Sequence, residues 1–522
     1  DGVRECLAVF VRFVLALLPI LWLAVALSVW KRPAYQVCPL ALALTVLLAL
    51  FYWKSPGTEV LTGGLEGAVM ALWPISLVIV AAVFTYNLTV RTGAMERIKG
   101  MLTAVTRDKR VLVLLIAWGF GGFMEGMAGF GTAVAIPAGI LCGLGFDPIF
   151  SALVCLVANA TPTAFGSIGI PTITAASVAG LEAGPTAVVV VLQLALMVVL
   201  TPLLMVMMTG GGVRALKRVW PVALGSGVAF VIPEFLTAKY VGAELPAVTG
   251  SVVCMVVTIL LSKLLKGEPP AQYALPRTQE QTGLTVRDGA LAWSPFILIF
   301  VLLLATSSLV PPIHNLLAAV KSDVVIYSGQ GASPYTFSWV NTPGVLIFIA
   351  AFVGGALQKA SLKVMGQVLW ATLKQMSKTI ITLVSILAAA KIMGYCGMTS
   401  DIAAFLVAVT GSAYPIVAPL IGSIGTFVTG SATSASVLFS GLQAETASAL
   451  GMDAVWLVAA NTIGATAGKI ISPQSISIAT AATDTVGQES TILRKSIGYY
   501  ILFVVVFGLI ALLAHPLAAL VL

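Results

Sequence analysis

Glu125 and Lys469 are ionisable residues set beside glycine-rich interruptions of long apolar runs. A charge at membrane depth is costly and as a rule faces a partner or a pathway, so both are candidates for function. A carboxyl held out of water can take up and release a proton, which suits Glu125 to a coupling role. Lys469 supplies a compact positive charge and donors for a carboxylate, with Ser472, Gln474 and Ser475 just beyond it. The competing reading is a structural pair, or a lysine that snorkels to the interface.

Four interruptions fall at corresponding places of two halves of the chain. They are Gly126-Met127-Ala128-Gly129-Phe130-Gly131 (followed by Thr132), Asn159-Ala160-Thr161-Pro162-Thr163, Gly430-Ser431-Ala432-Thr433-Ser434, and the stretch from Asn461 to Pro473. Lipid offers no hydrogen bonds, so non-helical backbone at that depth is tolerated only where protein or a water-filled cavity surrounds it. Paired breaks of this kind point to a transport site. Half-helices that start there aim free N–H groups and a positive dipole end at an anion. The first break reads GxxGxG, not GxGxxG, and no Lys-Ser/Thr follows, which argues against nucleotide binding. Close helix packing through small residues is the alternative for its glycines. Thr429, Ser431, Thr433, Ser434 and Ser436 are too many hydroxyls for ordinary packing at one break. The predicted substrate-facing set is therefore Lys469 with Gly126, Gly129, Gly131 and Thr132, Asn159 and Thr161, Gly430, Ser431, Thr433 and Ser434, and Asn461, Ser472, Gln474 and Ser475.

Such breaks need long apolar elements to interrupt, and the composition supplies them. Of 522 residues, 59% are hydrophobic and 9% charged, against roughly 25% charged in a soluble globular protein. A soluble enzyme is excluded. Runs such as Pro185 to Met208, 292 to 305 and 497 to 514 can cross about 30 Å of hydrocarbon, which needs roughly 20 apolar residues. The length allows on the order of 12 to 14 crossings and no large soluble domain. The chain is thus predicted to be an all-α polytopic membrane protein. The 28 Lys and Arg residues behind the net charge of +8 are scattered between apolar runs, which speaks for membrane orientation and against nucleic acid. Six cysteines show no CxxC spacing, so neither a metal nor a disulfide is expected. The chain opens on Asp1, read as a processed or trimmed start, and the run 7 to 29 is too long for a signal-peptide core and is read as the first span.

An internal repeat organises the rest. Gly93 to Thr106 lies over Gly397 to Thr410, and Gly121 to Ala128 lies over Gly425 to Ala432. Leu144 to Asp147 (LGFD) matches Leu450 to Asp453 (LGMD), and Ala158 to Pro171 matches Ala460 to Pro473. The predicted organisation is an N-terminal span (1–37), repeat 1 (38–209), a middle section (210–341) with spans near 219–236, 244–265 and 292–310, and repeat 2 (342–522). Connector 91–110 carries Arg91, Arg97, Lys99, Arg107, Lys109 and Arg110, whereas its counterpart 395–414 has no basic residue. Connector 54–67 carries Lys54 with Glu59 and Glu66, whereas 358–378 carries Lys359, Lys363, Lys374 and Lys378. The bias reverses twice, as it does when one repeat is threaded upside down relative to the other. That places 31–32, 210–218 and 263–288 inside, 236–244 and 311–340 outside, and both termini out.

His314 and His515 are too isolated for a triad or a metal site, and no HExxH is present. Asn87-Leu88-Thr89 matches a glycosylation sequon at a span end and is read as chance. The segments 91–110 and 358–378 read as interfacial amphipathic helices.

Phe123 to Gly131 and Gly468-Lys469-Ile470-Ile471-Ser472-Pro473-Gln474-Ser475 resemble the L-lactate permease family of bacterial lactate and glycolate transporters. The resemblance extends to Leu72-Trp73-Pro74, Ala164-Phe165-Gly166 before Gly169-Ile170-Pro171, and Glu244-Leu245-Pro246. It implies uptake of small 2-hydroxymonocarboxylates across a bacterial inner membrane by proton symport, with no organic cofactor. Glu125 and Lys469 then correspond to the family's membrane glutamate and lysine. Where members of the family commonly read Gly-Ser-Asp-Thr-Ser-Ser-Asn, this chain reads Gly430-Ser431-Ala432-Thr433-Ser434-Ala435-Ser436. A cation or proton site on that aspartate is absent, with Asp484 a candidate substitute. A sodium-coupled carboxylate carrier is the rival reading within transport.

Overall fold

The computed structural model describes residues 2–129, 131–276, 285–307, 309–485 and 488–522. Helix α1 (Gly2–Ala24) precedes the first repeat, which opens with α2 (Ala34–Phe51). That repeat also comprises α3 (Gly57–Met70), α4 (Leu77–Arg91), α5 (Ala94–Thr103), α6 (Lys109–Val113) and α7 (Gly121–Met127), the last two joined by a wider π-type stretch. It continues with α8 (Thr132–Gly143), α9 (Pro148–Ala158), α10 (Gly166–Ala179) and α11 (Ala183–Met208). The middle section holds α12 (Trp220–Tyr240), α13 (Pro246–Lys263), α14 (Val286–Ala305) and α15 (Pro311–Ala318), then the strands β1 (Lys321–Val324) and β2 (Tyr335–Ser338). The second repeat comprises α16 (Pro343–Leu357), α17 (Leu362–Cys396), α18 (Met398–Thr410), α19 (Tyr414–Thr429), α20 (Ala432–Leu450), α21 (Ala454–Gly468), α22 (Pro473–Ala482), α23 (Glu489–Leu513) and α24 (Ala518–Val521).

Among the described residues, nine helices are long and apolar enough to cross a membrane, or up to ten if the bent pair Pro148–Ala158 and Thr161–Ala179 is one span. Four shorter apolar helices accompany them, so the 12 to 14 segments expected are reached only by counting these as well. The breaks shorten the helices, which is why length alone misjudges the crossings. Two expectations are corrected. The segments taken as connectors at 54–67 and 358–378 lie largely within α3 and the 35-residue α17, and the outer connector contains an antiparallel two-stranded sheet in an otherwise helical chain.

The repeated sequence motifs are helix punctuation. In LGFD and LGMD, Gly145 (φ +92°) and Gly451 (φ +66°) end one helix in the left-handed conformation. Two residues on, the aspartate caps the next: Asp147 accepts the Phe150 N–H at 2.9 Å and Asp453 the Val455 N–H at 3.0 Å. The same stop and start therefore separates α8 from α9 and α20 from α21. Contacts across the molecule are reciprocal: α8 packs on α22, and its counterpart α20 packs on α10, the counterpart of α22. A two-fold relation between the repeats produces this exchange.

Interior packing relies on close crossings. Where α19 meets α21, a Cβ on Gly422 would stand 2.0 Å from the Asn461 carbonyl oxygen, and one on Gly464 1.9 Å from that of Pro419. Small residues let two backbones approach in a medium that supplies no hydrophobic drive between helices. Gln193 of α11 ties the repeats together, its amide donating to the Trp456 carbonyl of α21 at 3.0 Å. Asn87 donates to Thr372 and Gln375 of α17, so its sequon-like surroundings belong to a helix contact. Large apolar side chains such as Leu236, Leu260, Ile501 and Val505 are exposed on the outside, as lipid-facing positions require.

Gly464→Leu should separate α19 from α21 and destabilise the protein by about 1–3 kcal/mol or more. Thermal unfolding in detergent would show it as a lowered midpoint; an unchanged midpoint would mean the crossing is looser than described.

Candidate functional site

The breaks of both repeats converge on one cavity of about 360 Å³. Its walls come from the start of α20 (Ser431 to Ser434), the start of α10 (Gly166, Ser167, Pro171) and the middle of α17 (Gln375 to Leu383). Glu125, on α7, is buried at 4% exposure and lines it. Lys469, in the turn after α21, is half-buried and lines it too, its ammonium 3.5 Å from the Gly430 carbonyl oxygen. These two charges act on each other electrostatically, with no direct ion pair among the described contacts. Glu125 has Asn159 as a hydrogen-bond partner, while its Oε2 has no protein partner and is left to accept a proton or a substrate donor.

The floor is built by an unusual turn. Ser167, Ile168 and Gly169 have φ of +45°, +59° and +78°, a left-handed turn at the head of α10. Left-handed backbone costs an L-residue roughly 1–2 kcal/mol, and a β-branched residue there is an outlier. Surrounding contacts hold it: Ser167 donates its hydroxyl to the Ala128 carbonyl at 2.8 Å, and Thr172 donates to Ala164 at 2.7 Å. Gly169 lies under the Ala243 carbonyl, where a Cβ would come within 1.9 Å. The turn places Gly166 against the Glu125 carboxyl, where a Cβ would meet Oε1 at 2.3 Å. Gly129 likewise makes room for the Ser167 hydroxyl.

The start of α20 faces the cavity. The Ser431 hydroxyl caps α20 by accepting the Ser434 N–H at 3.2 Å. The remaining first-turn N–H groups of α20 have no intrahelical acceptor, which makes this end a ready anion partner. At the mouth, Lys378 of α17 sits over the Tyr35 ring of α2 at 4.8 Å.

Of the predicted residues, Glu125, Gly131, Gly430, Ser431, Thr433, Ser434 and Lys469 line the cavity. Gly129 shapes its wall and Asn159 contacts Glu125. The others take different places. Gly126 lies inside α7 rather than at the break, packed against Ala247 and Val248 of α13. Asn461 lies inside α21, where Gln443 donates to it and Tyr414 donates to Gln443, so it belongs to a packing network. Thr161, Ser472 and Ser475 are buried outside the lining. Asp484 is exposed beyond the end of α22 and does not replace the aspartate missing at Ala432. Phe130 lies outside the described residues, as do the side chains of Thr132, Thr429 and Gln474. Sequence reasoning left Thr163 out of the substrate-facing set although it named the break that holds it, and it missed Tyr35 and the α17 face of Lys378, Thr379 and Thr382. The clue was there in hydroxyls spaced three apart beside an apolar run.

Helices interrupted around a pocket lined by the Glu125 carboxyl and the ammonium groups of Lys469 and Lys378, with an apolar exterior, define a multi-pass membrane transporter. The chain belongs to the L-lactate permease family, whose pattern matches residues 12–518. It is 47% identical to an L-lactate permease of Streptococcus iniae over 446 residues, covering 85% of this chain and 93% of that one. It is 34% identical to the glycolate permease GlcA of Escherichia coli K12 over 543 residues, covering 95% and 94%. Among solved structures, the YdaH transporter of Alcanivorax borkumensis shares the fold at 13% identity, with a TM-score of 0.50 over 92% of this chain and 98% of that one.

Gly166→Ala should push the Glu125 carboxyl out of place and abolish transport while the protein still elutes as a monodisperse peak. Full activity in that variant would show that the carboxyl is free to move.

Proposed function

We propose that this protein imports small 2-hydroxymonocarboxylates, L-lactate foremost and D-lactate or glycolate with it, by proton symport across a bacterial inner membrane. The single observation that supports it most is the meeting of Lys469 and Glu125 in one cavity at the crossing of the two repeats' breaks. Lys469 and the start of α20 hold the carboxylate, which accepts charge-assisted hydrogen bonds from the ammonium and from first-turn N–H groups. The hydroxyls of Ser431, Thr433 and Ser434 are at hand for the 2-hydroxyl group. Glu125 carries the proton: neutral, it leaves Lys469 free for the substrate anion, and ionised, it competes for that lysine.

The two repeats are threaded in opposite senses, and rocking of one against the other exposes the cavity to each side in turn. With Lys378 at its mouth, the cavity faces the cytoplasm by the positive-inside rule. Ala432 supports protons over sodium, because it leaves Glu125 as the one carboxylate lining this cavity among the described residues, whereas sodium favours several oxygen ligands with charge among them.

Lys469→Ala should remove at least one charged hydrogen bond, worth about 1.5–3 kcal/mol, and reduce lactate uptake into proteoliposomes roughly tenfold or more. Unchanged uptake would refute the assignment. Glu125→Gln should still exchange internal for external lactate but lose accumulation driven by a pH gradient. Accumulation that instead follows a sodium gradient in the unmodified protein would establish the sodium-coupled alternative.

A further inference from the structure

Glu66 and Lys391 take no part in the site above, yet they form an ion pair within the membrane region. Glu66 of α3 is 5% exposed. Its Oε1 lies 3.2 Å from the Lys391 ammonium of α17 and accepts the Tyr395 hydroxyl at 2.6 Å. The Tyr395 ring stacks at 3.6 Å on Tyr327, which comes from the 311–340 connector. Beside this cluster lies a second cavity of about 360 Å³, lined by Lys391, Tyr395, Thr399, Glu445 and Ser448.

The two cavities lie end to end along the same three helices. On α17 the first extends to Leu383 and the second begins at Leu387; on α20 the first is bounded by Ser431 to Ser434 and the second by Val437 to Ser448. On α10 the first touches Gly166 to Pro171 and the second Val178 and Ala179. About one turn of apolar side chains, Leu383, Leu387 and Val437 of one core cluster, separates them. The second cavity borders the end of α17 that meets the 311–340 connector, opposite the Lys378 mouth.

We propose that the second cavity is the outer half of the substrate passage and that Lys391 is its carboxylate-binding residue, holding a small monocarboxylate before it reaches Lys469. The inference rests on the carboxylate substrate proposed above. Charge placement supports it. Lys391 lines the cavity while Glu66 does not, so the ammonium is the charge an entering ion meets at depth. Glu445 is exposed at the rim, where water and salt screen it. The Lys391 ammonium has three donors, so it can take a substrate carboxylate while keeping Glu66, which also retains the Tyr395 hydroxyl, and the buried carboxylate is not left without its cation. A lysine that only stapled α3 to α17 would be matched or bettered by apolar side chains and would need no cavity beside it.

The test is uptake of labelled L-lactate into proteoliposomes. Lys391→Gln should raise the half-saturation concentration for external lactate about tenfold or more, and Lys391→Arg should stay near the unmodified protein. Glu66→Gln should change it by no more than about threefold, and the double neutralisation should be as impaired as Lys391→Gln alone. Recovery in the double variant, or equal damage from Glu66→Gln, would show a structural staple and overturn the proposal. Thr399→Cys should react with a membrane-impermeant thiol reagent from the side opposite to that which labels Thr379→Cys, and lactate should slow the reaction; labelling of both from one side would also overturn it. Unmodified protein that takes up no lactate would refute the substrate class and this inference together. Normal half-saturation in Lys391→Gln refutes this inference alone.

Discussion

A backbone amide or carbonyl left unpaired in hydrocarbon costs several kcal/mol, so helices can break at membrane depth only where other protein encloses the break. The architecture follows from that constraint. The broken ends at Gly129 and Gly131, Ala160 to Gly166, Gly430 to Ser431 and Lys469 to Ser472 are all packed inside the molecule. Each repeat supplies half of the enclosure for the other, through α8 on α22 and α20 on α10. Contacts within a repeat add to this, as where the Ser167 hydroxyl meets the Ala128 carbonyl, and the cavity forms where the breaks of both repeats meet.

Within that enclosure, small residues set the chemistry by what they leave out. Gly166 lets the Glu125 carboxyl sit against backbone, and Gly129 lets Ser167 reach the Ala128 carbonyl and pin a left-handed turn. Close approach buries the Glu125 carboxyl and half-buries the Lys469 ammonium. In such surroundings a change of charge on either is worth far more than at a surface. In the proton symport proposed above, that interaction couples the binding of an anion to that of a proton with no need for the two to touch.

Much of this was legible in the chain. The recurring LG-x-D pattern marked the repeat, and in the structure Gly145 with Asp147 and Gly451 with Asp453 make the same stop and capped start in both halves. Glu125 and Lys469 stood out because ionisable residues inside apolar runs are rare, and both face the cavity. Gly126 and Asn461 misled, because alignment by motif does not say how far a helix runs before it breaks. Asn159 caps α9 beside Glu125, while its partner in the repeat, Asn461, sits within α21 and binds Gln443. Lys391 and Glu66 escaped notice for a related reason. Glu66 reads as a connector acid until α3 is seen to begin at Gly57, and its partner is more than 300 positions away in the chain.

The amino-acid sequence on its own determined the membrane class, the duplication, the neighbourhoods in which helices break, and the two charges that lipid would not tolerate unpartnered. Those are local matters of composition, periodicity and cap chemistry. Which broken ends meet, which polar residues face the cavity rather than a neighbouring helix, and the end-to-end order of two cavities along α10, α17 and α20 were decided only by tertiary structure. The reason is physical: a helix has one cavity-facing side among several, and rotation about its axis is set by the close contacts of distant segments, such as Gly422 on Asn461 and Gly67 on Leu387.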